Sequence, residues 1–283
     1  MTVTLGEVLA ALDARYAPAL AESWDAVGLV CGDRDEPVRR VLFAVDPVET
    51  VVDELLETGA DLLVTHHPLF LTAVHGVPAD DPKGRLVHRL VRAGAALFVA
   101  HTNADRAADC GVNDALAAAL GLTGCVPLEP VAPGSRQGLG RVGTLEEPHT
   151  LRQFAERVAA ALPPTAGGVR VAGDPGRPVR TVAVCGGSGG SLYGAAAAAD
   201  ADVLLTSDLK HHSVSESQQS PGPAVCDVAH FASEWPWLPV AAETLSRDLA
   251  GAVEVLVSHR RTDPWTAHVE QAAAPEPTGA ATG

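Results

Sequence analysis

Four short segments of the chain combine histidine with carboxylate or hydroxyl side chains. They are Thr65-His66-His67-Pro68, His101-Thr102-Asn103-Ala104-Asp105, Ser207-Asp208-Leu209-Lys210-His211-His212 and Asp227-Val228-Ala229-His230-Phe231-Ala232-Ser233-Glu234. Imidazole nitrogens and carboxylate oxygens without a thiolate are donors that suit Zn²⁺, Mn²⁺ or Fe²⁺ in sites open to water. These residue types therefore make a divalent-metal site the first hypothesis to weigh.

The spacing of these residues favours two ions over one. His66 and His67 are neighbours at the end of a predicted strand, so their side chains point to opposite sides and each can bind a different ion. His230 and Glu234 are four residues apart and face the same way if a helix begins there. Asp105 adds a second carboxylate. A single histidine at a strand end is usually a hydrogen-bonded structural residue, so spacing alone leaves the structural and metal-ligand interpretations open.

The segments follow predicted strands of an α/β protein. Continuous apolar runs over 41–45, 61–65 and 96–100 alternate with helical patterns over 49–57 and 85–92. Such βαβ alternation predicts mostly parallel sheets covered by helices. Ligands collect at the carboxyl ends of parallel strands, where these polar segments are expected to lie.

The pattern weakens after Leu122 into a Gly/Pro-rich stretch over 127–140, where a second lobe is predicted to begin. Strands over 203–206, 224–229 and 253–257, with a helix over 231–249, are expected to rejoin the first sheet. The predicted organisation is a metal-binding α/β lobe formed by 1–126 and 205–264, a second α/β lobe over 127–204, and a disordered tail over 265–283.

Composition and charge argue against several classes of protein. The formal net charge is -15 without any Lys/Arg run, which disfavours binding to nucleic acid or to an anionic membrane. No stretch of about eighteen apolar residues predicts a membrane span, and no export signal begins the sequence, so we expect a soluble cytoplasmic protein. The five cysteines include no C-x-x-C pair, which disfavours a disulfide framework or a thiolate zinc site.

A glycine-rich stretch over 185–191 has two interpretations. It stands between a predicted strand and a predicted helix, and its backbone N–H groups could receive a phosphate or carboxylate. It lacks the third glycine of the dinucleotide fingerprint, so a turn with close backbone packing is equally compatible with the sequence.

The order of the polar blocks resembles that of a known family. The blocks are Trp24-Asp25-Ala26-Val27-Gly28-Leu29, Thr65-His66-His67-Pro68-Leu69, His101-Thr102-Asn103-Ala104-Asp105, Ser207-Asp208-Leu209-Lys210-His211-His212 and His230-Phe231-Ala232-Ser233-Glu234. They resemble the Nif-three-like dinuclear-metal family, also called the GTP cyclohydrolase I type 2 homologues, over nearly the whole chain to about Trp265.

That resemblance implies a two-lobed α/β fold assembled as a toroidal homohexamer, with metal pairs facing an internal cavity. It carries ligation of two divalent ions per chain, Zn, Mn or Fe, onto His66, His67, Asp105, His230 and Glu234. His101 matches a family histidine that is either a further ligand or a partner of a ligand.

Two functions from different classes follow. The first is a metal-dependent hydrolase of a nucleotide or phosphoester, in which His101 or His212 shuttles protons. The family name suggests opening of the guanine imidazole ring of GTP with loss of formate. The second is a non-catalytic metal-binding or regulatory hexameric assembly. The sequence contains no guanine-reading motif that would select a substrate.

Overall fold

Strands and helices alternate along the chain, as the apolar periodicity predicts. The computed structural model describes residues 2–219 and 221–270. The strands in these ranges are β1 (Val3–Thr4), β2 (Gly28–Cys31), β3 (Pro37–Val38), β4 (Arg40–Ala44), β5 (Leu62–Thr65), β6 (Ala96–Val99), β7 (Thr123–Pro130), β8 (Gly138–Thr150), β9 (Val169–Ala172), β10 (Pro178–Val184), β11 (Val203–Ser207), β12 (Ala224–Val228) and β13 (Glu254–Val257).

The α-helices of the same ranges are α1 (Leu5–Arg15), α2 (Glu49–Thr58), α3 (Pro82–Arg92), α4 (Thr102–Asp105), α5 (Val112–Ala119), α6 (Leu151–Ala161), α7 (Tyr193–Ala198), α8 (His211–Ser217), α9 (His230–Glu234) and α10 (Trp237–Asp248). A capping box begins α1: the Thr4 hydroxyl accepts from the Glu7 N–H, and the Thr4 N–H donates to the Glu7 carboxylate at 2.8 Å. None of the described helices is long and apolar enough to cross a membrane.

The first sheet has the order β13-β4-β5-β6-β2, parallel except for the edge strand β2. Alternate residues of its strands face opposite layers of helix. Val41 and Phe43 share a core with α1 and α10, whereas Leu42 and Ala44 share one with α2 and α3. Burial on both faces explains the continuous apolar runs of these strands.

The second sheet has the order β7-β8-β10-β11-β12-β9, with a parallel centre and antiparallel strands on either side. The prediction that the strands over 203–206 and 224–229 rejoin the first sheet is therefore wrong, and only the last strand, β13, does so. Consecutive parallel strands joined by a short crossover stay adjacent, and α7 is such a crossover between β10 and β11. The lobe boundaries assigned from the sequence remain a prediction.

Two further local predictions differ from the structure. The Gly/Pro-rich stretch over 127–140, where we expected the second lobe to begin, lies within the β7–β8 hairpin of the second sheet. The helix predicted over 231–249 is two helices, α9 and α10, separated at Trp235 and Pro236, because proline has no N–H to continue the helical ladder. Of the predicted tail, residues 265–270 form neither helix nor strand, and residues 271–283 lie outside the described residues.

Candidate metal centre

The carboxyl ends of strands from both sheets deliver the predicted donors to one place. His66 and His67 follow β5, His101 follows β6, and His230 begins α9 directly after β12. Asp105 ends the single turn of α4, and Glu234 ends α9, so that His230 and Glu234 lie one helical turn apart as expected.

The side chains of the other five residues gather beside the buried carboxylate of Glu234. The distances are 2.9 Å from Glu234 Oε1 to His230 Nε2, 3.4 Å from Oε1 to His66 Nε2, 3.1 Å from Oε2 to His67 Nε2, 3.2 Å between Nε2 of His67 and Nε2 of His230, and 3.7 Å from His66 Nε2 to Asp105 Oδ1. The His101 ring centroid lies 5.1 Å from that of His66 and 5.6 Å from that of His67. Two donor groups that could hold a metal ion result: His66, His67 and His101; and His67, His230 and Glu234.

Every histidine of the cluster has its Nδ1 held by an acceptor. The Nδ1···O distances are 2.9 Å from His66 to the Ala100 carbonyl, 2.7 Å from His67 to Asp46, 2.8 Å from His101 to Asp25, and 2.7 Å from His230 to Asp208. A carbonyl or carboxylate oxygen accepts, so in the neutral ring Nδ1 carries the proton and the lone pair of Nε2 is directed to the centre. This tautomer and orientation are what metal-ligating histidines require.

Three buried atoms at the centre of the cluster have no hydrogen-bond partner among the described residues. They are His66 Nε2, Asp105 Oδ1 and Glu234 Oε2; the last lies 3.1 Å from His67 Nε2 without hydrogen-bond alignment. Leaving buried polar atoms unpaired costs free energy, and native proteins avoid it except where something else binds them. The donor set and its orphaned atoms fit divalent cations.

The pKa values of the cluster reflect a carboxylate surrounded by imidazoles. Burial lowers the pKa of His67, but the charge of Glu234 and the hydrogen bond to Asp46 outweigh burial and raise it to about 11. The pKa of His230 rises to about 9, because its interactions with Glu234 and Asp208 outweigh burial.

The pKa values of the two carboxyl groups, Glu234 and Asp105, are shifted in opposite directions. Burial raises the pKa of Glu234, but the neighbouring charges of His67 and His66 reverse this and hold it well below its usual value. Burial raises the pKa of Asp105 to about 6, against the opposing effect of His66. Without a metal, protons on the imidazoles balance the Glu234 charge.

The glycine-rich stretch packs against the centre, and three of its N–H groups donate to side chains of the protein. The N–H groups of Gly186, Gly187 and Gly189 donate to Asn113 Oδ1 at 2.9 Å, Ser233 Oγ at 2.9 Å and Thr206 Oγ1 at 2.8 Å, respectively. Those three donors are thus occupied inside the protein. A Cβ on Gly187, whose φ is +67°, would lie 2.5 Å from Glu234 Oε1 and 3.1 Å from His230 Nε2.

The proposed proton shuttles have different positions. His101 belongs to a donor group with His66 and His67. The structure does not bring His212 to the cluster: it is exposed near the start of α8, with its ring 5.2 Å from that of His211.

Comparison with known proteins identifies the family. The family model described as Duf34/NIF3 (NGG1p interacting factor 3) matches residues 3–264. The chain belongs to this family. A Streptomyces coelicolor protein named GTP cyclohydrolase 1 type 2 homolog is 54% identical, over 99% of this chain and 98% of the relative. A Mycobacterium tuberculosis protein of the same name is 37% identical over 372 aligned positions, covering 94% of this chain and 97% of the relative.

Solved structures of the Duf34/NIF3 family share the fold. A Bacillus cereus protein related to NIF3 superposes with a TM-score of 0.84 at 25% identity, covering 94% of this chain and 99% of the other. A Staphylococcus aureus hypothetical protein also has a TM-score of 0.84, at 26% identity and the same coverage. The two-lobed α/β fold expected from the sequence is confirmed.

The partners that orient the histidines were not identified from the sequence. Asp46 directly follows the apolar run of β4, and a carboxylate at a strand end was a usable signal. Asp25 and Asp208 occur in the quoted blocks, but nothing in their spacing indicated that they accept from imidazoles.

Proposed function

We propose that the cluster is a dinuclear divalent-metal centre and that this Duf34/NIF3 protein is a metal-dependent hydrolase. The observation that carries the proposal is the set of imidazole Nε2 atoms turned inward around Glu234, with three buried atoms left unpaired. His67, His230 and Glu234 would hold one ion, and His66, Asp105 and Glu234 the other, so Glu234 serves both. Bound there, Zn²⁺, Mn²⁺ or Fe²⁺ would activate water as a nucleophile and stabilise negative charge.

The chain's own residues orient these donors and leave room for a proton acceptor. The Nδ1 of His101 donates to Asp25, so its Nε2 is free either to bind an ion or to accept a proton. The name of these relatives, GTP cyclohydrolase 1 type 2 homolog, favours a nucleotide as the hydrolysed molecule, and a phosphoester is the second class to test.

Metal content tests the site. Each purified chain should contain close to two ions, and His67→Ala/Glu234→Ala should remove most of them. The matched control is His212→Ala/Glu216→Ala, which deletes an exposed histidine and glutamate four residues apart. Full metal content by elemental analysis in the first variant, with a native circular dichroism spectrum, would refute the assignment of the ligands.

Turnover distinguishes the hydrolase from the other candidate. Metal-loaded protein is incubated with a panel of nucleotides and phosphoesters before and after chelation. Hydrolysis that stops on chelation and returns with metal supports the hydrolase. Full metal content without turnover of any panel member would instead support a non-catalytic metal-binding or regulatory assembly.

The assembly and location belong to the same proposal and rest on the family resemblance. We infer a cytoplasmic homohexamer, for which light scattering should give six times the 29.1 kDa chain mass. A monodisperse monomer across micromolar concentrations would contradict it.

A further inference from the structure

A cavity of about 740 Å³ opens beside His67 and His230 of the metal centre. Its other walls are the loop over 166–168, the side chain of Arg170 on β9, and the segment over 262–268. This volume lies within the range of pockets that enclose small molecules. A molecule in the cavity would contact both the metal-binding side chains and the opposite wall.

Two acidic side chains of the cavity, Asp46 and Asp208, hold other groups, whereas the buried Oδ2 of Asp263 has no hydrogen-bond partner among the described residues. The Asp46 carboxylate accepts from His67 and from the Thr262 hydroxyl, and the Asp208 carboxylate accepts from His230. Their negative charge is therefore partly neutralised by the groups that they hold.

Arg170 is different, because most of its donors are unused. One guanidinium NH₂ donates to the nearly buried carboxylate of Asp227, and the side chain is still 70% exposed. No other hydrogen bond of this guanidinium is found within the described residues. An arginine has five N–H donors, so several can receive a ligand.

The sheet fixes where this cation lies relative to the metal centre. Arg170 is paired in register with Asp227 on β12, so the two backbones are about 4.8 Å apart. Asp227 lies three residues before His230 on the same strand end. The ion pair with Asp227 thus positions the guanidinium beside the strand that delivers a metal donor.

We propose that Arg170 binds an anionic group of the substrate, a phosphate or a carboxylate, while the group to be hydrolysed lies at the metal centre. The planar guanidinium matches either anion through paired N–H donors. The inference rests on the proposed function and narrows it to small anionic substrates bound in this cavity.

The test compares Arg170→Met with Arg180→Met. Both changes remove a guanidinium and keep an unbranched apolar side chain, but Arg180 is an exposed residue of β10 that does not line the cavity. Zinc-loaded proteins are titrated by calorimetry with GTP, phenyl phosphate, benzoate and the neutral guanosine. Metal content is measured in every variant.

We expect at least one anionic probe to bind the wild type and Arg170→Met to weaken it roughly 10- to 100-fold. Guanosine affinity, metal content and the behaviour of Arg180→Met should not change. If Arg170→Met loses affinity only for GTP and phenyl phosphate, Arg170 binds a phosphate. If it loses affinity only for benzoate, Arg170 binds a carboxylate. For panel substrates that turn over, KM should rise more than kcat falls.

Two results would overturn the inference: no anionic probe binds the loaded wild type, or Arg170→Met binds the anions as tightly as the wild type. The titration is repeated on chelated protein, where dependence on Arg170 should persist. The inference can thus fail while metal binding and turnover stand. Conversely, a protein without turnover can still show Arg170-dependent anion binding.

Discussion

Replacing Gly187 by alanine tests the geometry of the metal centre without removing a proposed ligand. The glycine-rich stretch places this residue against Glu234 and His230, at a φ of +67° that favours glycine. Gly187→Ala therefore combines a backbone cost with a collision at the donor cluster.

The two effects have different magnitudes and separate readouts. A left-handed alanine costs about 1–2 kcal/mol of folding free energy, which lowers Tm by roughly 2–8 °C for a chain of this size. The new Cβ would start 2.5 Å from Glu234 Oε1, whereas carbon contacts are optimal at about 3.5 Å, so the atoms must separate by about 1 Å. Metal–ligand distances tolerate only about 0.2 Å, and we expect metal affinity to fall about 10- to 100-fold.

Gly94→Ala is the matched control, because Gly94 has a φ of +68° and a Cβ added there would meet no atom within 4 Å. Thermal unfolding of chelated protein should show a similar loss in both variants. Competition with a fluorescent zinc chelator should show weakened metal binding in Gly187→Ala alone. Equal zinc affinity in both variants would refute the idea that this glycine shapes the centre.

Four further predictions address proton release, the pH dependence of stability, a buried ion pair and a helix cap. At pH 8 the raised pKa values keep His67 and His230 protonated in the metal-free protein, so zinc loading should release about two protons. Calorimetry in buffers of different ionisation enthalpy measures this release. A result of no released protons would contradict the prediction. The same raised pKa values stabilise the metal-free fold. This contribution to the free energy of unfolding is fully present below about pH 6.5, the pKa of histidine in the unfolded chain, and is lost as the pH rises through about 9 and 11. A denaturation midpoint that does not fall over this pH range would contradict the prediction. Arg141→Met should lower the free energy of unfolding in urea by about 3–5 kcal/mol, because Asp114 then lacks the buried guanidinium with which it pairs at 2.7 Å. A decrease below about 1 kcal/mol would count against this prediction. Thr150→Ala should cost about 1 kcal/mol by removing the N-cap of α6, with no change in zinc content; any zinc loss would link this cap to the site.

Most of the donor set was predictable because each donor follows an apolar run. His66, His67 and His101 come directly after buried parallel strands, and position on such a strand end follows from local sequence. The His230 and Glu234 pair was predictable for a similar reason, since i, i+4 spacing on a helix depends only on the residues between them.

The remaining parts depend on long-range packing that local patterns do not contain. Asp25 accepts from His101, 76 residues further along the chain. This contact forms only because the loop before β2 lies beside the end of β6. The strands after residue 203 look equally suited to either sheet, because both sheets bury continuous apolar strands. Gly187 could be a ligand cradle or a packing contact, and only the positions of Ser233 and Glu234 decide between them.

The hydroxyl of Thr262, which donates to the carboxylate that holds His67, has a consequence for biosynthesis. The side chains that build and orient the centre begin at Asp25 and end at Thr262, so they span nearly the whole described chain. A nascent polypeptide cannot complete the centre until this last part has left the ribosome. At the proposed centre, a complete set of oriented metal donors would therefore form only after residue 262 has been synthesised.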